Sequence, residues 1–322
     1  MEYILGVDGG GTKTVVRIAD LKGRTLSEVI CKAGNYKSVG IENARGNITQ
    51  GIITASSNIK DHKEIFFKSA CFGLSGLDSE KDGAVFRKMI LIKEIKPLLD
   101  LNKVIFCNDS RIGLEAGSSN KNALMIICGT GSNCFGINEF GVEAKANGWD
   151  YILGDEGSGY DTGIKALRAV MRAHDKRGAK TILEEMILKE LLLKNVEELI
   201  EWTYSKKFTS DRFASLARVV CMAAEQNDRA AINILKKQTD EALISISSVV
   251  RQLGISKKSF DVVFVGSLFR CEKYFKAVLE SKLMNKFDKI VFKPLKDKPV
   301  YGAIKLAIKN IQTHQTQGQG LV

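Results

Sequence analysis

The sequence predicts an α/β protein built from two similar halves. Two glycine-rich bends carry this prediction, because each lies between two apolar strands, in YILGVDGGGTKTVVRIADL and in ALMIICGTGSNCFGI. Strands and helices alternate after the first bend, and residues 162 to about 250 show apolar side chains at helical spacing. A chain of 322 residues is long enough for two domains.

The first half is predicted to begin with three strands and to continue as an α/β unit. Its first two strands flank the bend at Gly9 to Gly11, and the third covers Thr25 to Cys31. The later elements are a helix over 43–58, a strand over 64–76, a helix over about 79–95, a strand over 103–110 and a helix over 111–117.

The second half repeats this layout from Ala123, with a Gly-Thr-Gly-Ser bend, another strand and a turn at Gly141. After the helical stretch come the buried strand DVVFVGSLFR, the short strand KIVFKP and a final helix. We therefore expect a first domain over 1–117, with the final helix at about 300–311 packing back on it. The second domain should cover 118–299 and include a helical insertion, and the polar tail 312–322 should be disordered.

The first glycine bend differs from the two familiar phosphate loops. A P-loop requires Lys after its second glycine, where this chain has Thr12, and the dinucleotide motif requires Gly where it has Thr14. Both also require a following helix, whereas VVRIADL favours a strand. The glycines should form the tip of a β-hairpin whose amides hold an anion, the alternative being an ordinary hairpin turn.

Composition narrows the class of protein. The chain is 44% hydrophobic and 26% charged, with no visible signal peptide or membrane-spanning run, and this is typical of a soluble cytoplasmic protein. Its seven cysteines include no Cys-x-x-Cys pair, so we expect reduced thiols, mostly in the core. The net charge of +11 favours anionic ligands or simply a lysine-rich surface, and no nucleic-acid motif is present.

Five motifs, in this order along the chain, resemble a known family. DGGGTKT, CGTGS and VGS look like the two phosphate motifs and the adenosine motif of the sugar kinase/heat-shock ATPase/actin superfamily. GWDYILGDEGSGY and the helix that follows it, GIKALRAVMRAHDKRG, resemble the N-acetylglucosamine kinases and BadF-type ATPases. The resemblance implies two similar actin/hexokinase-like (ribonuclease H-like) domains around an ATP cleft, with ATP and Mg²⁺ as cofactors.

The resemblance places the nucleotide on three of these motifs. Asp8 would position Mg²⁺ through water, although an Asp there also suits turn capping. Lys13 would neutralise phosphate charge or, by strand alternation, point to solvent. The predicted nucleotide-binding residues are Asp8, Gly9, Gly10, Gly11, Thr12, Lys13, Gly129, Thr130, Gly131, Gly266 and Ser267.

Asp109 is the predicted catalytic base. It follows an apolar strand, where a carboxylate beside the cleft can accept the proton of an attacking sugar hydroxyl. The matching acid of the resembling kinases has this role. The structural alternative is that Asp109 caps the helix that follows it.

The sugar is expected to bind polar groups from several loops. The predicted acceptor residues are Asn35, Ser75, Gly76, Asn133, Gly148, Trp149 and Asp155. Trp149 could instead pack between domains, and Asp150 stands where family members often have Gly, which leaves the local loop shape open.

These observations favour an ATP-dependent kinase that phosphorylates an amino sugar at its primary hydroxyl. N-acetylglucosamine is the first expectation, followed by N-acetylmuramic acid and glucosamine. The alternatives are the activator ATPase of a 2-hydroxyacyl-CoA dehydratase, which carries an iron–sulfur cluster, and a non-catalytic sugar sensor. The expected partners are the small-molecule sugar and possible homodimer subunits, without nucleic acid or membrane.

Overall fold

The computed structural model describes residues 2–59, 65–205 and 209–319, with the backbone alone for 314–319. Ten strands form two five-stranded mixed sheets. The strands are β1 (Tyr3–Gly9), β2 (Lys13–Asp20), β3 (Thr25–Lys32), β4 (Phe67–Leu74), β5 (Val104–Asn108), β6 (Ala123–Cys128), β7 (Ser132–Ile137), β8 (Glu143–Ala146), β9 (Phe260–Val265) and β10 (Ile290–Pro294).

Thirteen α-helices lie in the described residues. They are α1 (Tyr36–Val39), α2 (Ile41–Ser57), α3 (Glu80–Ile90), α4 (Asp109–Gly117), α5 (Asp150–Leu153), α6 (Gly159–His174), α7 (Leu183–Leu191), α8 (Glu198–Thr203), α9 (Ser210–Ala214), α10 (Leu216–Glu225), α11 (Arg229–Gln252), α12 (Ala277–Met284) and α13 (Pro299–Gln319). None of the described helices is long and apolar enough to cross a membrane.

The two sheets have the same topology. The first has the order β3-β2-β1-β4-β5, and the second, read from its other edge, has the order β8-β7-β6-β9-β10. In each sheet the first three strands in chain order form antiparallel pairs, and the last two strands run parallel to the first strand. The α/β prediction with two similar halves is therefore confirmed.

The chain divides into one unit of residues 1–119 and 295–322 and a second of residues 120–294. In the first unit, one core lies between the sheet and α2 and α3, and includes Ile48, Phe72 and Phe86. A smaller core includes Ile4, Ile112 and Ile304, because α13 and α4 pack on β1. A Cβ at Gly302 would lie 1.9 Å from the carbonyl oxygen of Ile112, so these helices cross in close contact.

The second unit has one core, in which α11 packs on the sheet and α6 and α10 pack on α11. Its cysteines give one correction. Cys221 of α10 and Cys271, which follows β9, form a disulfide, so the expectation of reduced thiols is wrong for these two. The other five cysteines are free thiols. The sequence did not reveal this pair, because its two members are 50 residues apart and each lies among apolar residues.

Several predicted boundaries shift. Helix α3 ends at Ile90 instead of about 95, because Leu91 leaves helical geometry with ψ 52°. Strand β4 begins at Phe67, while residue 64 of the predicted strand lies outside the described residues. The expectation of a disordered tail from 312 does not match α13, which continues to Gln319, and residues 320–322 are not described.

Candidate active site

The first glycine bend is a β-hairpin turn, as predicted. Strands β1 and β2 pair up to Gly9 and Thr14, and the amide of Gly10 donates to the carbonyl of Lys13 at 2.9 Å. Gly11, Thr12 and Lys13 are exposed at the tip. Amide groups of such a tip can contact an anion because no side chain covers the glycines.

Two further loops are hydrogen-bonded to this hairpin. The carbonyl of Gly9 accepts from the amide of Ser75 at 2.9 Å, and the carbonyl of Gly10 accepts from Gly34 at 3.0 Å. The side chain of Asn35 donates to the Ser75 hydroxyl at 3.4 Å. The structure therefore brings together the hairpin and the predicted acceptor residues Asn35 and Ser75.

Gly76 is required at its position by backbone geometry. Its φ is +87°, which favours glycine, and a Cβ there would lie 2.8 Å from Oδ1 of Asn35. The same Oδ1 accepts from the amide of Lys37 and caps α1. Gly76 thus allows the close approach of Asn35.

A polar network that sequence reasoning missed supports this loop. Tyr36 donates from its hydroxyl to Oδ1 of Asp82 at 2.6 Å, and Ser79 donates to Oδ2 at 2.7 Å. Lys37 lies 3.0 Å from the same carboxylate. The hydrogen bond from Tyr36, the largest influence, and those from Ser79 and Lys37 lower the pKa of Asp82. Tyr36 and Asp82 are 46 residues apart in sequence, so no local pattern links them, whereas Ser79 and Asp82 are three residues apart at the start of α3.

Asp8 and Asp109 lie at one edge of the first sheet. Gly9 pairs with Leu74 and Leu74 with Asn108, so the residues beside them, Asp8 and Asp109, are at the same strand ends. Burial, followed by the negative charge of Asp109, raises the pKa of Asp8 to about 6, while Lys13 opposes the rise. Two carboxylates in one electrostatic environment are a suitable donor set for a divalent cation.

Asn108, rather than Asp109, caps α4. Its side chain accepts from the amide of Ser110 at 2.9 Å, and the helix begins at Asp109. Asn108 also donates to the carbonyl of Leu77 at 3.2 Å. The capping alternative for Asp109 is therefore wrong, because the preceding residue provides the cap. Sequence reasoning missed Asn108, although Asn is among the preferred capping residues.

The second glycine bend, in the second unit, packs against the start of α6. The carbonyl of Gly129 accepts from Gly159 at 2.7 Å, and that of Thr130 accepts from Tyr160 at 3.1 Å. The Thr130 hydroxyl donates to Oδ1 of Asp211 in α9 at 2.6 Å. Asp211 was not predicted, since it is 81 residues from its partner.

Gly266 and the second bend are in close contact. Gly266 has φ +116°, and a Cβ there would lie 2.3 Å from the carbonyl oxygen of Cys128. Ser267 begins a short 3₁₀ turn and lines a pocket of about 400 Å³. Arg218, Cys221 and Met222 of α10 line the same pocket. The predicted adenosine motif therefore borders a cavity of small-molecule size.

Asn147, another residue missed from the sequence, organises the loop between β8 and α6. Its Nδ2 donates to the Ser132 hydroxyl and to the Glu156 carbonyl, both at 2.8 Å. Its Oδ1 accepts from the amides of Gly148 at 3.0 Å and Asp155 at 2.8 Å. Its φ of +68° is a geometry in which Asn is enriched, and this preference was the available signal.

Asp155 lies in this organised loop beside the second bend. A Cβ at Gly131 would lie 2.6 Å from its Oδ2. Burial mainly raises the pKa of Asp155, and the charges of Asp150 and Glu156 add to the rise, while a hydrogen bond from the Ser132 amide opposes it. The hydrogen bond from Ser132 therefore only partly offsets the cost of burying the Asp155 carboxylate, which suits a group proposed to accept hydrogen bonds from sugar hydroxyls.

The remaining predicted acceptor residues lie on the same loop and on β7. Gly148 has φ +76°, and a Cβ there would lie 3.1 Å from the Asn133 side chain. Trp149 is 65% exposed, with Nζ of Lys145 5.4 Å from its ring centroid. Asp150 has φ +72°, a conformation that favours glycine and that accounts for the glycine expected there.

The fold and these motifs define a class of ATP-using enzymes, and the comparisons identify the family. Residues 5–307 match the BadF/BadG/BcrA/BcrD ATPase family. The chain belongs to this family. The match covers both units and all five motifs, and confirms the predicted resemblance.

Two curated relatives are similar over nearly their whole length. An N-acetylmuramic acid/N-acetylglucosamine kinase of Clostridium acetobutylicum is 34% identical over 307 residues, covering 95% of this chain and 98% of the relative. An N-acetyl-D-glucosamine kinase of Dictyostelium discoideum is 33% identical over 320 residues, covering 96% and 98%.

A solved structure from Chromobacterium violaceum, described as a candidate N-acetylglucosamine kinase, has a TM-score of 0.72 and 21% identity. The alignment covers 95% of this chain and 98% of that structure. At this identity the likeness is evidence for the fold, which is the actin/hexokinase-like fold of sugar kinases.

Proposed function

We propose that the protein is an ATP-dependent kinase that phosphorylates an amino sugar, with N-acetylglucosamine preferred, at its primary hydroxyl. The observation that carries the proposal is the placement of Asp8 and Asp109 at one sheet edge, beside an exposed glycine hairpin. The full-length similarity to curated amino-sugar kinases supports it independently.

Asp109 is the proposed general base. Its carboxylate accepts the proton of the sugar hydroxyl while that oxygen attacks the γ-phosphorus of ATP, and ADP leaves with the electrons of the broken bond. Asn108 provides the helix cap, so Asp109 is not required for that role. Asn35, Ser75 and Asp155 are the proposed sugar-orienting residues.

Asp8 is the proposed Mg²⁺-positioning residue, acting through water. The residues fit this ion, because Asp8 is partly buried near the carboxylate of Asp109, and a divalent cation would stabilise both negative charges. Bound Mg²⁺ would supply charge neutralisation at the phosphates. The hairpin amides and Lys13 would bind phosphate oxygens, and the amides of Thr130 and Gly131 are a second proposed phosphate-binding group.

The adenosine part of ATP is proposed to occupy the pocket beside Ser267. Its volume of about 400 Å³ suits a nucleoside, and Met222 supplies apolar surface for the base. Gly266 allows the chain to pass close to the second bend. The proposed adenosine pocket and a proposed phosphate motif are therefore neighbours within the second unit.

The activator alternative is disfavoured by Cys128. A cluster shared between subunits requires an accessible thiolate, but Cys128 is fully buried and burial raises the pKa of its thiol. A non-catalytic sensor is disfavoured because Asp8, Thr12 and Asp109 are all present.

A coupled ADP-release assay tests the function. The acceptors are N-acetylglucosamine, N-acetylmuramic acid, glucosamine, N-acetylmannosamine and glucose, each with ATP and Mg²⁺. We expect the highest kcat/KM with N-acetylglucosamine and slow ATP hydrolysis without sugar. ATP hydrolysis that no acceptor stimulates would contradict a sugar kinase, and a higher kcat/KM with another acceptor would correct the substrate.

A further inference from the structure

A second pocket in the second unit is lined by cationic side chains. It has a volume of about 450 Å³ and lies between one face of α6 and one face of α11. Five of its lining residues are basic: Lys165, Arg168, Arg172, Arg229 and Lys237. None of the lining residues is acidic, and the small side chains of Ala169 and Ala230 line the space between the two helices. We call this cavity the basic pocket.

Helical spacing creates this arrangement. Lys165, Arg168 and Arg172 are separated by three and four residues, so they lie on one face of α6. Arg229 and Lys237 are eight residues apart and share a face of α11. Two basic stripes therefore line the same concave surface.

Most of this charge is uncompensated. Lys165 pairs with Asp161, but Arg168, Arg172, Arg229 and Lys237 form no ion pair within residues 2–59, 65–205 and 209–319. By contrast, Arg218 and Lys282 of the same unit each pair with a carboxylate. Arg229 also lies in the first turn of α11, where the helix dipole disfavours a cation. Clustered cations repel each other, and a bound anion would offset this repulsion.

The lining favours a small phosphorylated anion over a polymer. The volume is within the range of small-molecule sites, and the cavity is concave. Guanidinium groups, of which the pocket has three, bind phosphate oxygens in bidentate geometry. No aromatic side chain lines it among the described residues, so the stacking surface used for single-stranded nucleic acids is missing.

We propose that the basic pocket binds the phosphate group of a small phosphorylated metabolite, at a site separate from the glycine motifs. Ile234, Ala169 and Ala230 offer apolar surface for the remainder of the ligand. The ligand can be a phosphate monoester or a free phosphate or pyrophosphate, which share this chemistry.

Isothermal titration calorimetry with the full-length protein tests this site, with inorganic phosphate, pyrophosphate and glucose 6-phosphate as probes. The variant Arg172→Ser/Arg229→Ser removes two exposed cations of the pocket. The control Lys93→Ser/Lys96→Ser removes the same charge from an exposed segment of the first unit. We expect at least tenfold weaker binding of one probe to the pocket variant, and less than a twofold change for the control.

A conservative variant separates geometry from charge. Arg172→Lys/Arg229→Lys keeps the charge but removes the bidentate fork, and should bind between wild type and the serine variant. Equal affinity of the serine and control variants would overturn the proposal, because binding would then be elsewhere. Failure of all three probes to bind wild type would also overturn it, including where only heparin or RNA binds. These measurements contain no ATP or sugar acceptor, so they are independent of the proposed kinase activity.

Discussion

The two glycine hairpins have the same topology but different surroundings. The first, between β1 and β2, is next to Asp8 in its strand and Asp109 at the end of β5. The second, between β6 and β7, has Ile127 and Pro294 near the corresponding strand ends. The first hairpin accepts hydrogen bonds from loops at Gly34 and Ser75, whereas the second accepts them from the start of α6.

This difference separates two tasks that one repeated topology performs. The first unit has Asp8 and Asp109, the carboxylates proposed for metal binding and proton transfer. The acids beside the second hairpin are Asp155, next to Gly131, and Asp211, which accepts from Thr130. The second unit has the closely packed turn, with Gly129, Gly131 and Gly266 in contact with neighbouring groups, and the pocket beside Ser267. Substitutions in the first unit should therefore change the chemical step, and those in the second should change nucleotide affinity or local stability.

The largest expected effect is that of Asp109→Asn. Loss of the general base should lower kcat at least about a hundredfold with little change in sugar affinity. Steady-state kinetics and sugar titration measure the two quantities. Glu80→Gln, which removes an exposed carboxylate of the same unit, is the matched control. Turnover within severalfold of wild type for Asp109→Asn would contradict its role as base.

The disulfide should stabilise the second unit alone. Cys221→Ser/Cys271→Ser should lower the free energy of unfolding by about 2–4 kcal/mol, because the bridge closes a loop of about 50 residues in the unfolded chain. Urea denaturation with hydrogen exchange would locate the loss in the β9 region rather than in β4.

Two controls accompany the disulfide variant. Dithiothreitol should destabilise wild type and leave the double variant unchanged. A thiol assay in denaturant should find the five free cysteines in wild type before reduction. Seven reactive thiols in protein purified without reductant would show that the bridge is absent.

Asp8 should make the stability of the first unit depend on pH. Its folded pKa of about 6 is above its ordinary 3.8, so folding favours the protonated form. This contribution is fully present below about pH 3.8 and is lost as the pH rises through 6. At pH 7.5 the charged form should cost about 3 kcal/mol.

Asp8→Asn removes this titration. Without nucleotide or Mg²⁺, the variant should be more stable than wild type at pH 7.5 and equally stable near pH 3. Urea denaturation at both values measures the difference, and Glu80→Gln again serves as the control. A difference that does not change with pH would show that the charge of Asp8 is already compensated in the folded protein.

Local patterns predicted most of the fold and of the motif positions. The glycine bends, the flanking strands and the existence of β4, β5 and β9, though not their exact ends, follow from apolar alternation and turn residues. The missed residues act over long sequence separations, as Asp82 does with Tyr36 and Asp211 with Thr130. No local rule pairs such residues, because tertiary packing determines which polar groups meet. Asn108 differs, because capping preference could have identified it beside Asp109.

The smallest effect is expected at Asp211, and it tests the role of the second hairpin most directly. Its Oδ1 accepts from the Thr130 hydroxyl at 2.6 Å, and this bond fixes the turn whose amides are proposed to bind phosphate. Asp211→Ala should loosen the turn and raise the KM for ATP about fivefold, equivalent to about 1 kcal/mol, with kcat nearly unchanged.

Thr130→Ser distinguishes positioning from general damage to the turn. It keeps the hydroxyl, so Asp211 can still hold it and the KM for ATP should remain within twofold of wild type. Thr130→Ala should resemble Asp211→Ala, and the double variant Thr130→Ala/Asp211→Ala should cost little more than either, because both changes remove the same interaction. Additive effects on KM would mean that Asp211 acts apart from Thr130. A loss of kcat instead of affinity would contradict the division of tasks between the two hairpins.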